Sequence, residues 1–322
     1  MRAVIMEAHG PPQVMRVVEL ATPEPGDDQV LVQVEAAGVN FVDLLQRNGS
    51  YAVKFPFAPG FEGSGVVLRA GAGVRDISEG DRVAWTGSSG SYASHCLVPA
   101  RCVVPVPDAL SHEQAAAALT QGMTAHFLAS DVVPLSSGGS CLVHAAAGGV
   151  GGLLCQLTAR RGAIVIGTVS NPAKIKATLD AGAHYAIDYS GGDIARRVMA
   201  LTGGRGVDVV YDAIGHDTFA EGLACLRPRG TLVLYGQASG PVGPVDPQVL
   251  NEKGSLFLTK VSLRHYDATQ AQLLHRARTV QQMVLDGTLR LRVHDIYALD
   301  DAPVAHEALE SRRAVGKILL RP

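Results

Sequence analysis

The run His144-Ala145-Ala146-Ala147-Gly148-Gly149-Val150-Gly151-Gly152 decides how this sequence is read. Residues 141–145, just at its start, form a short apolar stretch of strand length. Past the turn, Val150, Leu153, Leu154 and Leu157 recur at i, i+3, i+4 and i+7, which is one face of a helix. Strand, glycine turn and helix in that order open a βα unit. The turn departs from G-x-G-x-x-G in carrying alanine first, Ala146-Ala147-Gly148-Gly149-Val150-Gly151. The physics is unaltered, because small residues still let the backbone approach a pyrophosphate at a helix N-terminus, where free N–H groups and the positive dipole end converge. A glycine cluster alone would equally serve any tight βα turn, so the dinucleotide reading leans on the flanking strand and helix.

Outward from this unit the same rhythm repeats. Strands are expected at 163–169, 186–189, 207–213 and 231–235, with helices at 172–181 (closed by Gly182), 194–201 and 219–226, and a sixth strand at 255–260. Strands and helices alternating at this length predict a doubly wound parallel sheet covered on both faces, since right-handed crossovers place helices there. Upstream, short β-type runs at 3–6, 14–20, 29–36, 63–69, 82–85 and 92–98 are punctuated by Gly, Pro and Asp, the pattern of a small, partly closed β-barrel. Residues 111–129, with an alanine run and Glu113 in the first turn, read as one or two helices. The tail carries an amphipathic helix (Leu273, Ala277, Val280, Val284), a short strand, a helix at 301–311 and a last strand at 317–320.

Composition narrows the function classes. The 322 residues are 47% hydrophobic and 18% charged, with mean hydropathy +0.16, which excludes a disordered polymer and allows about two domains. Lysine and arginine number 28 against 30 acids, a net charge of −2 that offers no general field for a polyanion, which argues against a nucleic-acid partner. Five cysteines without a C-x-x-C pair fit neither a disulfide framework nor a four-cysteine zinc lobe and point to a reducing compartment. No signal-like or membrane-spanning apolar run is present, so the expected location is soluble and cytoplasmic. Glycine, at 36 residues where average usage of about 7% would give roughly 23, implies many tight turns or close backbone approaches.

The choice of dinucleotide falls at the end of the second parallel strand, where an acid would accept hydrogen bonds from the adenosine ribose. The sequence there is Gly167-Thr168-Val169-Ser170-Asn171-Pro172, without an acid, and Lys174 follows one turn into the next helix. A 2′-phosphate would meet the Ser170 hydroxyl, helix N–H groups and a cation, which favours NADPH; the bland alternative is a solvated lysine. His95-Cys96 lies on an expected strand, where neighbours point to opposite faces and cannot share a metal. His306-Glu307 begins an H-E-x-x-H pattern that Glu310 interrupts. No metal site is expected. No G-x-S-x-G elbow stands at a strand-to-helix turn, which sets hydrolase chemistry aside. In the apolar N-terminal region Asn40 and Tyr51 are the polar groups expected near a cleft, with Asn40 either contacting substrate or nicotinamide or capping the helix that starts at Phe41.

Gly38-Val39-Asn40-Phe41, Gly60-Phe61-Glu62-Gly63, Gly80-Asp81-Arg82-Val83, the 144–151 turn, Val210-Tyr211-Asp212 and Glu310-Ser311-Arg312 together resemble the zinc-free NADPH:quinone oxidoreductase (zeta-crystallin-like) branch of the medium-chain dehydrogenase/reductase superfamily. The resemblance covers essentially the whole chain. It implies an α/β fold in which a Rossmann cofactor domain (122–260) joins a GroES-like, partly open β-barrel catalytic domain (1–121 and 261–322), with the cofactor in the cleft between them. Zinc alcohol dehydrogenases carry a cysteine ligand at the Asn40 position and a histidine ligand at the Phe61 position, and both are missing here. By the same resemblance Lys174, Tyr189 and Arg312 hold the 2′-phosphate, Gly149 and Val150 form the pyrophosphate turn, and Gly236, Gln237, Ala238 and Ser239 form the loop after the fifth parallel strand. Asn40 and Tyr51 are the candidate catalytic residues, with Asn40 also near the cofactor. Phe127 stands where relatives offer a tyrosine hydroxyl to the cofactor, and Gln237 lies in a loop that varies in the family. The expected activity is zinc-independent hydride transfer to a small quinone or conjugated carbonyl by a homodimer. The alternatives are reduction of an enone or enoyl thioester and a non-enzymatic crystallin-like or RNA-binding role.

Overall fold

A computed structural model describes all 322 residues, and the chain divides into two compact units, Met1–Met123 with Asp267–Pro322, and Thr124–Tyr266. The first unit opens with β1 (Arg2–Ile5) and β2 (Arg16–Glu19), an antiparallel pair. Its organising strand is β3 (Gln29–Val39), eleven residues rich in valine that are buried almost throughout. Period-two alternation fails here because both faces of most of β3 are covered. Asn40 turns the chain into α1 (Phe41–Arg47). Next come β4 (Glu62–Ala70), β5 (Arg82–Thr86), β6 (His95–Pro99), β7 (Val103–Pro105) and α2 (His112–Phe127).

The second unit follows the sequence rhythm closely. β8 (Ser140–Val143), α3 (Gly149–Arg160), β9 (Ile164–Val169), α4 (Ile175–Asp180), β10 (Tyr185–Asp188), α5 (Ile194–Leu201), β11 (Val207–Asp212), α6 (Phe219–Cys225), β12 (Leu226–Leu234), α7 (Pro247–Glu252), β13 (Phe257–Lys260) and α8 (Leu263–Tyr266) succeed one another. The six strands form one sheet in the order β10-β9-β8-β11-β12-β13, all pairs parallel. Strand order reverses beside β8, the topological switch point at which open α/β sheets bind their ligands. Leu142, Ile166, Val210 and Leu232 form the buried centre.

The chain then returns to the first unit through α9 (Gln270–Leu285), β14 (Val293–Ala298), α10 (Ala302–Glu310) and β15 (Lys317–Arg321). β15 pairs antiparallel with the end of β3, Ile318 opposite Val39 and Leu320 opposite Ala37. β3 therefore changes partner along its length, meeting β6 over residues 29–33 and β15 over 37–39 while β4 runs along its other edge. The resulting sheet has the order β14-β15-β3-β4-β5-β7 with β6 attached to β3, around a core of Val32, Trp85, Tyr92, Val98 and Ile318. No helix is long and apolar enough to cross a membrane.

Candidate active site

In the second unit the decisive turn has the geometry its sequence implies. Gly148 N–H closes onto the Ala145 carbonyl at 2.8 Å, and the first α3 bond runs from Gly152 N–H to the Gly148 carbonyl at 2.9 Å. The amides of Gly149, Val150 and Gly151 thus lead the helix as its open donors. A Cβ on Gly151 would lie 2.3 Å from the Ala145 carbonyl oxygen, so only glycine allows α3 to start this close to β8. Such donors at the C-terminal edge of a parallel sheet fit a diphosphate.

At the end of β9, Ser170 is half-buried and the Asn171 side chain caps the turn that leads into α4, accepting from Ala173 N–H at 2.8 Å. Lys174 lies in that turn and is buried. Tyr189 follows β10, its N–H donating to the Val169 carbonyl at 3.0 Å, which brings it beside the β9 end. The loop 236–239 is tied to the chain after β11: Ala238 and Ser239 N–H donate to the carbonyls of Ala213 and Ile214 at 3.1 and 2.8 Å, and Lys260 Nζ donates to Gln237 Oε1 at 2.8 Å. Beneath the turn that follows β11, the buried Asp212 carboxylate accepts from Ile214 and Gly215 N–H and from the Thr218 hydroxyl. Phe127 is fully buried and stacks on Tyr266, ring centroids 4.4 Å apart at 16°. Phe127 offers no hydroxyl at this position; the hydroxyl in the stack belongs to Tyr266.

The first unit holds a buried polar cluster. Asn40 stands at the N-cap position of α1, and its own N–H donates to the Asp43 carboxylate at 2.8 Å. Its side chain is committed elsewhere: Nδ2 donates to Glu62 Oε1 at 2.7 Å, and Oδ1 accepts from Lys317 Nζ at 2.8 Å and, more weakly, from Gln121 at 3.4 Å. Lys317 also pairs directly with Glu62, whose second oxygen accepts Thr120 N–H at 2.9 Å. Glu62 and Lys317 are both buried. Gly38, opposite Glu62 in the β3–β4 register, makes room for the carboxylate, since a Cβ there would sit 2.3 Å from Glu62 Oε1. Asn40 thus starts α1 through its backbone, while its side chain bridges a buried ion pair.

A second chain of polar groups adjoins α1. Tyr92 OH lies 3.3 Å from Asp43 Oδ2 and 3.1 Å from His306 Nε2, all three side chains buried. Burial pushes the Asp43 carboxyl up to about 7. Burial, helped by the positive charge of Arg47, pushes His306 down to about 3, and Arg47 itself pairs with Glu310. The interrupted His306-Glu307 pattern is thus a core histidine on α10, bonded to a tyrosine. Tyr51, by contrast, is 42% exposed on the loop after α1, held through its backbone N–H on the Leu45 carbonyl at 2.8 Å. Arg312 follows α10 in a left-handed conformation, φ +55°, and is exposed.

These two assemblies can be set beside known proteins. Residues 26–108 match the alcohol dehydrogenase GroES-like domain model, and residues 149–279 match the zinc-binding dehydrogenase model. The quinone oxidoreductase of Salmonella typhimurium is 41% identical over 318 residues, covering 98% of this chain and 97% of that protein. The chain belongs to the quinone oxidoreductase branch of the medium-chain dehydrogenase/reductase superfamily. The crystal structure of Escherichia coli quinone oxidoreductase complexed with NADPH, 37% identical, superposes with a TM-score of 0.97 and full coverage of both chains. A 2-haloacrylate reductase from Burkholderia sp is 37% identical over 331 residues, covering 100% of this chain and 99% of that protein.

Zinc, which the second family model names, does not fit the residues present in this member. Nowhere do three His, Cys, Asp or Glu side chains come together as a metal-holding group. Asn40 Oδ1 faces the Lys317 ammonium at 2.8 Å, and Phe61, which precedes Glu62 in the chain, has no donor atom to offer a cation.

Proposed function

We propose that this protein is an NADPH-dependent, zinc-independent oxidoreductase that reduces small quinones or related conjugated carbonyls. The observation that carries the reading is the pair of anion-accepting features at the switch point of the second unit: the open amides of 149–151, and a β9 end that holds Ser170 and the cation of Lys174 with no acid. The likeness to the NADPH-complexed quinone oxidoreductase supports it. In this reading the second unit is the dinucleotide-binding domain and the first, including the tail, is the catalytic domain. NADPH, when bound, supplies the hydride. The chain's own part is to hold it: Gly149 and Val150 at the diphosphate, Lys174, Ser170, Tyr189 and Arg312 at the 2′-phosphate, and Gly236, Gln237, Ala238 and Ser239 along the remainder, with Phe127 as an apolar wall. Asn40 and Tyr51 lie on the substrate side. With no grouped metal ligands and with the Asp43–Tyr92–His306 chain buried, the acceptor's proton comes from water, and rate depends on positioning.

The test is direct. Purified protein mixed with NADPH and a panel of quinones and enones should oxidise the cofactor, read by the nicotinamide absorbance, and exhaustive chelation should leave the rate unchanged. Turnover of enones or haloacrylates with none of the quinones would move the activity to carbon–carbon double-bond reduction, the reading that similarity to the 2-haloacrylate reductase favours. A rate lost on chelation and restored specifically by zinc would overturn the metal-free reading.

The proposed state is a soluble, cytoplasmic homodimer. β13 is the end strand of its sheet and carries Phe257 60% exposed, an open edge that invites a second copy. Light scattering should give about twice the 33.7 kDa chain mass; the single-chain mass at micromolar concentration would refute it.

A further inference from the structure

His144 is the one residue of the decisive turn that neither the glycine geometry nor the open amides explain. It is fully buried at the end of β8, and its N–H donates to the Tyr211 carbonyl at 3.0 Å, extending the sheet by one rung. Its side chain reaches the other way: Nδ1 lies 2.9 Å from the hydroxyl of Thr168, the buried penultimate residue of β9. Two residues further on, Ala146 N–H donates to the carbonyl of the same Thr168 at 3.0 Å. Between these attachments Ala145 is held at φ +53°, a left-handed conformation costly for a residue with a Cβ and stable only where its surroundings over-determine it. The Ala145 carbonyl in turn accepts Gly148 N–H and sets how closely α3 can start.

A core-filling role accounts poorly for this choice of residue. His144 Nε2 is buried without a partner, a polar atom stranded where leucine would strand none. The partnered nitrogen is the one that points to Thr168. Thr168 begins the stretch that runs through Ser170 to Lys174, so a single side-chain bond joins the turn assigned to the diphosphate to the strand end assigned to the 2′-phosphate.

We infer that His144 is a positioning residue for the cofactor, whose bond to Thr168 fixes the spacing of the 144–151 turn against the 168–174 segment so that both phosphate groups are met at once. The inference rests on the NADPH reading above. Two anchoring points strengthen each other only when their separation matches the ligand. Loss of the bond should therefore harm ligands that span both points and spare a ligand that touches one.

Calorimetric titration of the whole protein with NADPH and with adenosine 2′-monophosphate tests this, using His144→Leu, Thr168→Val, their double variant and His144→Asn, whose amide can replace Nδ1. The expected result is a loss of roughly tenfold or more in NADPH affinity for either single variant, no further loss in the double, less than about threefold change for the 2′-monophosphate, and recovery of most NADPH affinity in His144→Asn. Should His144→Leu not fold, Thr168→Val carries the same comparison. NADPH affinity within twofold of the parent in folded variants, losses that multiply in the double, or equal losses for both ligands alongside a lowered Tm would each overturn the inference. Failure of the unmodified protein to bind NADPH would instead overturn the cofactor reading and take the inference with it; binding by the parent with indifferent variants overturns the inference alone.

Discussion

The 144–151 turn and the Asn40–Glu62–Lys317 cluster use the same steric device across very different chain distances. In each, a glycine clears space for one oxygen: Gly151 for the Ala145 carbonyl, and Gly38 for the Glu62 carboxylate. The turn closes over a few residues, so its parts sit together in the sequence and their spacing exposes the purpose. The cluster gathers residues 40, 62, 120 and 317 from the start of α1, β4, α2 and β15, and none of these announces the others. What differs most is energetic. The turn leaves backbone donors free for an incoming ligand, whereas the cluster has its principal charges paired within the protein, which suits a fixed scaffold better than a reacting group.

The largest expected effect lies in the cluster. Lys317→Met leaves the Glu62 carboxylate buried without its cation and should cost about 3–5 kcal/mol of stability. Adding Glu62→Gln should recover part of that loss, because no buried charge remains and the single amide oxygen can still accept from one of the two donors, Asn40 Nδ2 or Thr120 N–H. Thermal unfolding of the single and double variants measures both. A loss below about 1 kcal/mol for Lys317→Met would show the pair to be dispensable and erase the contrast with the turn.

Next comes the pH dependence built into the Asp43–Tyr92–His306 chain. His306 is lowered to about 3 from an ordinary 6.5, so its contribution is complete above about pH 6.5 and is lost as pH falls towards 3. Asp43 is raised to about 7 from 3.8, so its contribution is complete below about pH 4 and is lost as pH rises through 7. The two slopes oppose each other between about pH 4 and 6.5. Relative to the parent, Asp43→Asn should make stability rise more steeply with pH across that window, and His306→Gln should make it rise less or fall. The effect is a few kcal/mol at most, since one pKa unit is about 1.4 kcal/mol. Parallel curves for all three proteins, from melts taken between pH 4 and 7, would show that neither burial shapes the titration.

A smaller effect returns to the turn's side of the comparison. Lys174→Ala should weaken NADPH by roughly 10- to 150-fold, the worth of one charge-assisted hydrogen bond of about 1.5–3 kcal/mol, while leaving NADH nearly unchanged. Equal weakening of both cofactors would remove Lys174 from the 2′-phosphate and leave Ser170, Tyr189 and Arg312 to account for any preference for NADPH.

The reach of the sequence follows the same division. Alternating strands and helices from 141 to 260 specify the parallel sheet because each hydrophobic period is local, and the run at 255–260 forms the edge strand β13 (Phe257–Lys260). Errors fall where local punctuation misleads. Pro228, Arg229 and Gly230 read as a loop, yet β12 runs through them from Leu226, with a register shift against β11 and Arg229 at φ +61°. The 92–98 run begins as a strand only at His95, since Tyr92 is turned into the core to meet Asp43 and His306. Within the site, the residues proposed to face the phosphates are legible because small side chains and a missing acid are properties of adjacent positions. The buried charges are not, because pairing is a property of the fold. The available signals were faint: a lone lysine at the head of the apolar Lys317-Ile318-Leu319-Leu320, and a glutamate between Phe61 and Gly63.

The smallest expected effect is at Tyr51, and it asks whether the exposed loop of the first unit does any chemistry that the buried cluster cannot. Tyr51 is 42% exposed and is anchored by its backbone on the Leu45 carbonyl, so its hydroxyl is free to follow substrate but is not held at one point. A general acid contributes about 10²- to 10⁴-fold and must be fixed within hydrogen-bond reach of the atom it protonates. If water supplies the proton, Tyr51→Phe should raise KM for the acceptor more than it lowers kcat, with kcat falling by less than about threefold. Retention of the ring preserves whatever apolar surface the loop presents, so the variant isolates the hydroxyl. A kcat loss of 10²-fold or more with unchanged NADPH affinity would make Tyr51 a proton donor, and the division of labour between a binding turn in one unit and a fixed scaffold in the other would have to admit a catalytic residue on the loop.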